Sequence, residues 1–322
     1  MKHSGLGRMV LIRLLQIPFI LLAIYTITFM LVWIIPGNPL EKPEGRRPPE
    51  EIARAMQARY HLDDPVVFYG DYLAGVSGFD WARGSGGPII DFGPSLRHEN
   101  WTVNEILASQ LPVSILLGLT SILLACVIGL GAGILGAIRP GSWVDLSTLL
   151  LALVGISMPV FVIGMVLLIV GAVHLGLFPV GGWGDPGHIV LPALALSLPF
   201  AAYIARLTRT GMIEELQSDH IRTARAKGMP EHVVIFKHAL KNAFLPVLSY
   251  LGPATAAAMT GSFVVEKVFA VPGVGTHFVD AVLGKDVTLI LGVVLVYSTL
   301  LVLLNLLVDV LYRWIDPRIE AA

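Results

Sequence analysis

Six stretches of the chain carry no Asp, Glu, Lys or Arg: Leu14–Ile35, Leu111–Ile138, Leu146–Val173, Ile189–Ala205, Ala243–Val265 and Val287–Val308. A helix needs about 20 apolar residues to cross the hydrocarbon core of a bilayer. All but the fourth run reach that length. The fourth continues past Arg206 and Arg209 toward Met212, and both arginines are expected to snorkel to the interface. Pro18, Pro112, Pro159, Pro192, Pro199, Pro246 and Pro253 lie within the runs. A membrane helix tolerates proline where neighbouring groups re-satisfy the backbone. The pattern therefore predicts an all-α integral membrane protein with six transmembrane helices.

Lys and Arg set the orientation, because short cytoplasmic loops hold their excess. One side collects Lys2, Arg8, Arg13, Arg139, Arg206, Arg209, Arg222, Arg225, Lys227, Lys237, Lys241, Arg313 and Arg318. Outside the long first loop, the other side holds only Lys267 and Lys285. Both termini are thus predicted to be cytoplasmic. Basic residues precede the first run, as in a signal peptide. Its apolar stretch is too long for such a peptide, and no small-x-small site follows in Pro36-Gly37-Asn38-Pro39, so an uncleaved anchor is expected.

Between the first two runs the chain is polar. Pro48-Pro49-Glu50-Glu51 reads as a helix start, with acids near the positive dipole end. Ile52, Met56 and Tyr60 then recur every four residues as an apolar stripe. Asp63-Asp64-Pro65 should stop that helix, Val66–Leu73 should form another, and the glycine-rich stretch from Gly70 to Gly93 reads as loop. Thr102-Val103-Asn104-Glu105 has capping-box spacing ahead of the second run. The segment is either a packed cap over the helices or a docking surface for an external partner. The fourth loop is also patterned. Ser218-Asp219 offers N-cap residues, His220–Lys227 gives about two turns, Gly228 suits the position past a helix end, and Met229-Pro230-Glu231 restarts a helix toward Leu245-Pro246.

Composition agrees with a membrane protein. Hydrophobic residues make 55% of the 322 residues and charged residues 14%, where soluble domains run near 25% charged. The net charge of −1 gives no basic excess for nucleic acid. Cys126 is the single cysteine, so no intrachain disulfide can form, and its mid-membrane place suits packing better than nucleophilic chemistry. No phosphate-binding Gly-x-x-x-x-Gly-Lys-Ser/Thr occurs. Gly131-Ala132-Gly133-Ile134-Leu135-Gly136 matches a dinucleotide pattern but lies inside an uncharged span. Gly129 and Gly133 form a small-xxx-small pair, so helix packing is the reading. The histidines show no metal-ligand spacing, and His174 at a run boundary reads as a satisfied interfacial residue. No catalytic constellation emerges, and no cofactor or metal site is expected in the chain. Ser157, Ser249, Thr255, Tyr297 and Asn305 are candidates to line a wet passage, or else bond between helices.

Ile221-Arg222-Thr223-Ala224-Arg225-Ala226-Lys227-Gly228 resembles the importer loop of type I ABC importer membrane subunits, in the variant of the oligopeptide permease B family. Arg222-Thr223-Ala224 stands where the general pattern has Glu-Ala-Ala, and Gly228 matches its glycine. Lys237-His238-Ala239-Leu240 continues the pattern, with Lys241 in place of the usual proline. Tyr60-His61-Leu62-Asp63-Asp64-Pro65, Asp91-Phe92-Gly93-Pro94-Ser95, Leu245-Pro246-Val247-Leu248-Ser249-Tyr250 and Pro272-Gly273-Val274-Gly275 also look like peptide-permease segments.

The resemblance implies a type I ABC importer permease fold in a bacterial inner membrane. It implies a tail and first helix over 1–35, an extracytoplasmic loop domain over 36–105, the importer transmembrane domain over 106–316 with its coupling loop at 206–242, and a tail over 317–322. Asp219, Arg222, Thr223, Ala224, Arg225, Lys227 and Gly228 would then couple to an ATPase subunit. Implied partners are a second homologous permease, two ATP-binding-cassette ATPase subunits or domains holding ATP and Mg, an extracytoplasmic peptide-binding protein, and the lipid bilayer. Dipeptide, glutathione and nickel permeases share the basic loop. Two readings from other classes are a membrane receptor or scaffold and a lone secondary carrier. The carrier would need an ionisable residue inside the membrane, and the charge-free runs offer none.

Overall fold

A computed structural model describes residues 4–36, 40, 50–84, 86–98, 100–260 and 262–315. Pro48-Pro49, most of Pro36-Gly37-Asn38-Pro39 and the 317–322 tail lie outside the described residues. The helices in chain order are α1 (Ser4–Ile34), α2 (Glu50–Tyr60), α3 (Pro65–Val76), α4 (Phe79–Ala82), α5 (Val103–Ile138), α6 (Trp143–Ser157) and α7 (Val160–Leu167). They continue with α8 (Pro186–Leu216), α9 (Asp219–Ala226), α10 (Glu231–Val233), α11 (Leu240–Ala243), α12 (Leu245–Thr260), α13 (Phe263–Val268), α14 (Val274–Gly284) and α15 (Val287–Ile315). π-helical turns follow α7 over Leu168–His174 and α10 over Val234–Ala239. Among the described residues there is no strand, only an isolated bridge between Pro94 and Thr102.

Among the described residues four helices are long and apolar enough to cross a membrane, and up to six spans result if each of two bent pairs counts as one. The third run is not one straight helix. It turns by 109° between Trp143–Ser157 and Val160–His174. Pro159 has no N–H to donate and pushes the preceding residue out of the helical region, and Met158 sits at ψ 133°. The fifth span bends by 56° between Ala243 and Leu245, next to Pro246. Pro18, Pro112, Pro192, Pro199 and Pro253 stay inside helices. The fourth run extends as expected, over Pro186–Leu216.

Two compact units are formed. One comprises residues 12–113 and 273–300, the other 114–272 with the chain's two ends. In the first, Tyr25, Phe29 and Val32 of α1 pack with Phe68 and Tyr72 of α3, Val103 and Ile106 of α5, and the start of α15. The Tyr25 and Tyr72 rings stack at 5.8 Å. The Tyr25 hydroxyl donates to the Tyr69 carbonyl at 2.8 Å, and that of Tyr72 donates to the Thr288 carbonyl at 3.1 Å. Met56 and Tyr60 join the same core, as their spacing predicts. The inner side of the first loop is therefore a packed cap. The helix over Val66–Leu73 is longer than expected and runs through Gly70 to Val76, so the loop begins later. The capping box is present: Glu105 accepts from the Thr102 N–H at 2.8 Å, and the Glu105 N–H donates to Thr102 Oγ1 at 3.2 Å.

Asp286 pins this unit. It is fully buried and caps α15 by accepting the Leu289 N–H at 3.2 Å. Its other oxygen accepts from the Ser95 hydroxyl at 2.5 Å and the Arg97 N–H at 3.2 Å. Removing the carboxylate costs a cap and strands buried donors. Asp286→Ala is expected to lose about 2–4 kcal/mol, read as a lower unfolding temperature of the purified protein.

In the second unit α5 lies directly on α8. A Cβ on Gly129 would stand 2.6 Å from the Ala201 carbonyl oxygen, and one on Gly133 would stand 2.7 Å from that of Ala205. The glycine pair is therefore a packing device, as its spacing predicts. Cys126 is partly buried beside the cluster of Ala125, Ala201, Ile204 and Val247. The His174 ring nitrogen is bonded to the Ile169 carbonyl at 2.9 Å.

Arg209 has a specific partner: its guanidinium grips Asp145, which is 3% exposed, through Nε at 2.5 Å and Nη2 at 2.8 Å. One sequence expectation needs correction. The spans are not charge-free. Asp145 opens the third, and the fully buried Glu266 lies in the last part of the fifth. Glu266 accepts from Ser114 at 2.7 Å and Ser262 at 2.5 Å. Runs bounded by charge exclude such residues by construction, whereas a helix continues past them when hydrogen bonds satisfy them.

Candidate functional site

The fourth loop folds as its local chemistry dictates. Ser218 precedes α9 in extended geometry. Its hydroxyl donates back to the Glu215 carbonyl at 2.7 Å rather than capping α9. Asp219 in the first turn and Arg225 in the last complement the helix dipole. The end is a Schellman turn. Gly228 takes φ +73°, its N–H bonds the Arg225 carbonyl at 2.9 Å, and the Met229 N–H bonds the Ala224 carbonyl at 3.3 Å.

An eight-residue helix is not stable alone. Tertiary packing holds this one. Ile221 and Ala224, three residues apart, are buried together against Ile134 and Ala137 of α5, Met212 of α8, and Val234, Ile235, Ala239 and Ala243. The Glu215 carboxylate ties neighbouring elements as well. It meets His220 Nε2 at 3.2 Å and accepts from the Asn242 amide at 3.3 Å.

The opposite face is open. Asp219, Arg222, Thr223, Arg225, Lys227 and Gly228 are exposed. Ala224 faces inward and belongs to the support. Arg225 is engaged within the chain: its Nη2 and Nε reach the two Glu231 oxygens at 2.6 and 3.3 Å, across the Gly228 turn. That hydrogen-bonded pair raises the Arg225 pKa above its ordinary value, so its charge is constant at any working pH. Arg222 reaches Asp219 at 3.5 Å. Exposed pairs of this kind contribute at most about 1 kcal/mol.

The five passage candidates lie on α6, α12 and α15. Ser249 and Thr255 both lie on α12 and donate to carbonyls of their own helix, Leu245 at 3.2 Å and Leu251 at 2.6 Å. Asn305 stands near Gly252, where a Cβ would come within 3.0 Å of its Oδ1. Ser157 ends α6 and is exposed. Tyr297 belongs to the other compact unit. Back-bonding to the preceding turn satisfies a hydroxyl in a membrane helix, so Ser249 and Thr255 need no water-filled neighbour. Sequence reasoning missed Asp145 and Glu266. The signal available for Asp145 was a carboxylate next to Ser142 at the start of a helix.

A short helix with one exposed polar face, carried between apolar spans by a buried seam, places the chain among multi-pass membrane proteins with a structured loop helix. The family profile described as "Binding-protein-dependent transport system inner membrane component" matches residues 129–321, and the chain belongs to this family. It is 42% identical over 301 residues to the dipeptide transport system permease protein DppB of Bacillus subtilis (strain 168), covering 93% of this chain and 94% of that one. It is also 42% identical over 316 residues to the oligopeptide transport system permease protein OppB of Salmonella typhimurium, covering 97% and 99%. Against a solved structure of the MetNI methionine ABC transporter, in inward-facing conformations, the TM-score is 0.51 at 21% identity, covering 66% of this chain and 96% of that one. The fold is that of a type I ABC importer permease. The chain is a multi-pass inner-membrane permease subunit, a transport component and not an enzyme. This sets aside the receptor, scaffold and lone-carrier readings.

Proposed function

We propose that the chain forms half of the membrane passage of a peptide importer, with oligopeptides as cargo. Dipeptide transport is the second reading, favoured by the equally similar relative from Bacillus subtilis. The other half of the passage would come from a second homologous permease. Two ATP-binding-cassette ATPase subunits would bind ATP and Mg and hydrolyse ATP; this chain would hold no cofactor of its own. An extracytoplasmic binding protein would deliver the peptide.

The observation that carries the coupling assignment is the two-sided character of α9. Its apolar side is seated on the ends of α5 and α8, and its polar side is free to enter a groove on an ATPase. Asp219, Arg222, Thr223, Arg225, Lys227 and Gly228 form that contact, and Ala224 seats it. The test is reconstitution of the chain with its second permease and ATPases in proteoliposomes, with binding protein and labelled peptide on the receptor side. ATP-dependent uptake of oligopeptides, and not of free amino acids or nickel, is the expected result. Uptake confined to dipeptides would select the second reading, and uptake without ATP would overturn both.

Arg225 separates two roles for the basic face. Arg225→Glu is expected to lower coupled ATPase activity and uptake several-fold while leaving membrane insertion intact. Exchanging the pair, Arg225→Glu with Glu231→Arg, restores the internal brace but not the charge at position 225. Uptake is expected to stay low in the exchange variant. Recovery would assign Arg225 to bracing the Gly228 turn, and unchanged uptake in Arg225→Glu itself would remove the charged contact.

A further inference from the structure

We propose that Asp145 and Arg209 are positioning residues for coupling: they lock α6 to α8 so that a displacement of α9 moves both membrane helices as one body. The proposal rests on α9 being the coupling helix. Both oxygens of the buried Asp145 are engaged, Oδ1 by Arg209 Nε, and Oδ2 by Arg209 Nη2 and by the Gly141 N–H at 2.8 Å. Gly141 lies in the α5–α6 turn at φ +76°. The clamp therefore joins α8 to the start of α6 and to the turn before it.

Gly136 marks how closely the three helices meet there. A Cβ on it would stand 3.0 Å from Thr148 Oγ1, 3.2 Å from Asp145 Oδ1 and 3.5 Å from Arg209 Cδ. Beside Gly136 on α5, Ala137 packs in the cluster that seats Ile221 and Ala224 of α9. Three residues beyond Arg209 on α8, the fully buried Met212 packs in the same cluster. Only Gln217 and Ser218 separate α8 from α9. The clamp thus borders the seat of α9 on α5 and α8, two of the elements that form it.

The pair also adds stability, since the Arg209 side chain stays 24% exposed and its hydrogen bonds to Asp145 are charge-assisted. A bidentate guanidinium–carboxylate fork supplies fixed geometry besides. It adds a directional constraint on the rotation of α8 against α6 to the close packing of Gly155 on Ala202 and Leu198. Mechanical coupling of this kind needs contiguous rigid elements, and here every link is a named contact.

The test uses the complete transporter in proteoliposomes. Removing Arg209 alone leaves a buried carboxylate without its cation and endangers folding, so the informative variant is the double Asp145→Asn with Arg209→Gln. It removes both charges and keeps hydrogen-bonding groups. It is expected to assemble at wild-type level, while peptide taken up per ATP hydrolysed falls at least about tenfold. Arg209→Lys, which keeps the charge without the fork, is expected to fall between. A nitroxide on Lys227→Cys, in a Cys126→Ser background, is expected to report greater mobility of α9 in the double variant, a readout that needs no cargo. Wild-type uptake per ATP or an unchanged nitroxide spectrum in the double variant overturns the proposal. So does failure of both the double variant and Arg209→Lys to assemble, which would confine the pair to folding. If the wild-type complex shows no ATP-dependent peptide uptake, the proposed function fails, and the nitroxide comparison still decides this inference.

Discussion

Gly133→Val is expected to reduce the folded permease in membranes roughly tenfold, whereas Gly131→Val leaves it unchanged, because overpacking costs 1–3 kcal/mol or more and such losses change abundance several-fold. The two glycines lie in the same Gly131-Ala132-Gly133 stretch, so composition and hydropathy cannot separate them. Contact does. A Cβ at position 133 would stand 2.6 Å from Thr208 Cβ and 2.7 Å from the Ala205 carbonyl oxygen, and at position 131 nothing lies within 4 Å. The Ala205 carbonyl belongs to the α8 backbone and cannot rotate aside. The helices would have to separate, and in lipid their association depends on close van der Waals packing rather than on a hydrophobic force. Gly129→Val is expected to behave like Gly133→Val, since its Cβ would meet the Ala201 carbonyl oxygen at 2.6 Å and Ile204 Cβ at 2.7 Å. Membrane-fraction immunoblotting with detergent-resistant assembly as the readout checks the series. Equal levels for positions 131 and 133 would refute the packing argument.

Thr223→Pro is expected to abolish ATP-dependent uptake in a permease that inserts and accumulates normally. Thr223 is the fifth residue of α9. Proline there removes a backbone donor and drives its ring against the Asp219 carbonyl, a cost of ~3 kcal/mol in a helix interior. A helix of eight residues has no reserve of its own, and its seat is only Ile221 and Ala224. The membrane spans lie outside α9, so insertion is spared. Asp219→Pro is the control. It places proline at the first helical position, where no intrahelical donor is lost, after Ser218 at ψ 156°, a conformation that a following proline accepts. Because Asp219 is itself a contact residue and holds Arg222, uptake is expected to fall only partly in the control, clearly less than in Thr223→Pro. Wild-type uptake in Thr223→Pro would show that α9 need not be helical to couple.

Local chemistry made much of this legible. The capping box at Thr102 and the Gly228 stop of α9 each depend on residues within a few positions of one another, and each stands where its pattern places it. The glycine pair at 129 and 133 was legible because its period matches one helix face. The turn at Pro159 was not. The proline was visible, but Pro112, Pro192 and Pro199 ride inside long helices, and proline alone does not say which helix breaks. The hydroxyls of Ser249 and Thr255 bond carbonyls of their own preceding turn, a contact that the residue type alone does not specify.

By itself the sequence determined the membrane class, the apolar runs and the basic surface helix with its glycine stop, because hydropathy and capping act over one or a few turns. Tertiary structure alone decided the rest. It paired Arg209 with Asp145 across 64 positions, engaged Arg225 with Glu231, turned Ala224 inward and held Glu266 between Ser114 and Ser262. Burial of a charge is tolerated only where a partner meets it, and which partner meets it depends on how the helices pack, which no local pattern encodes.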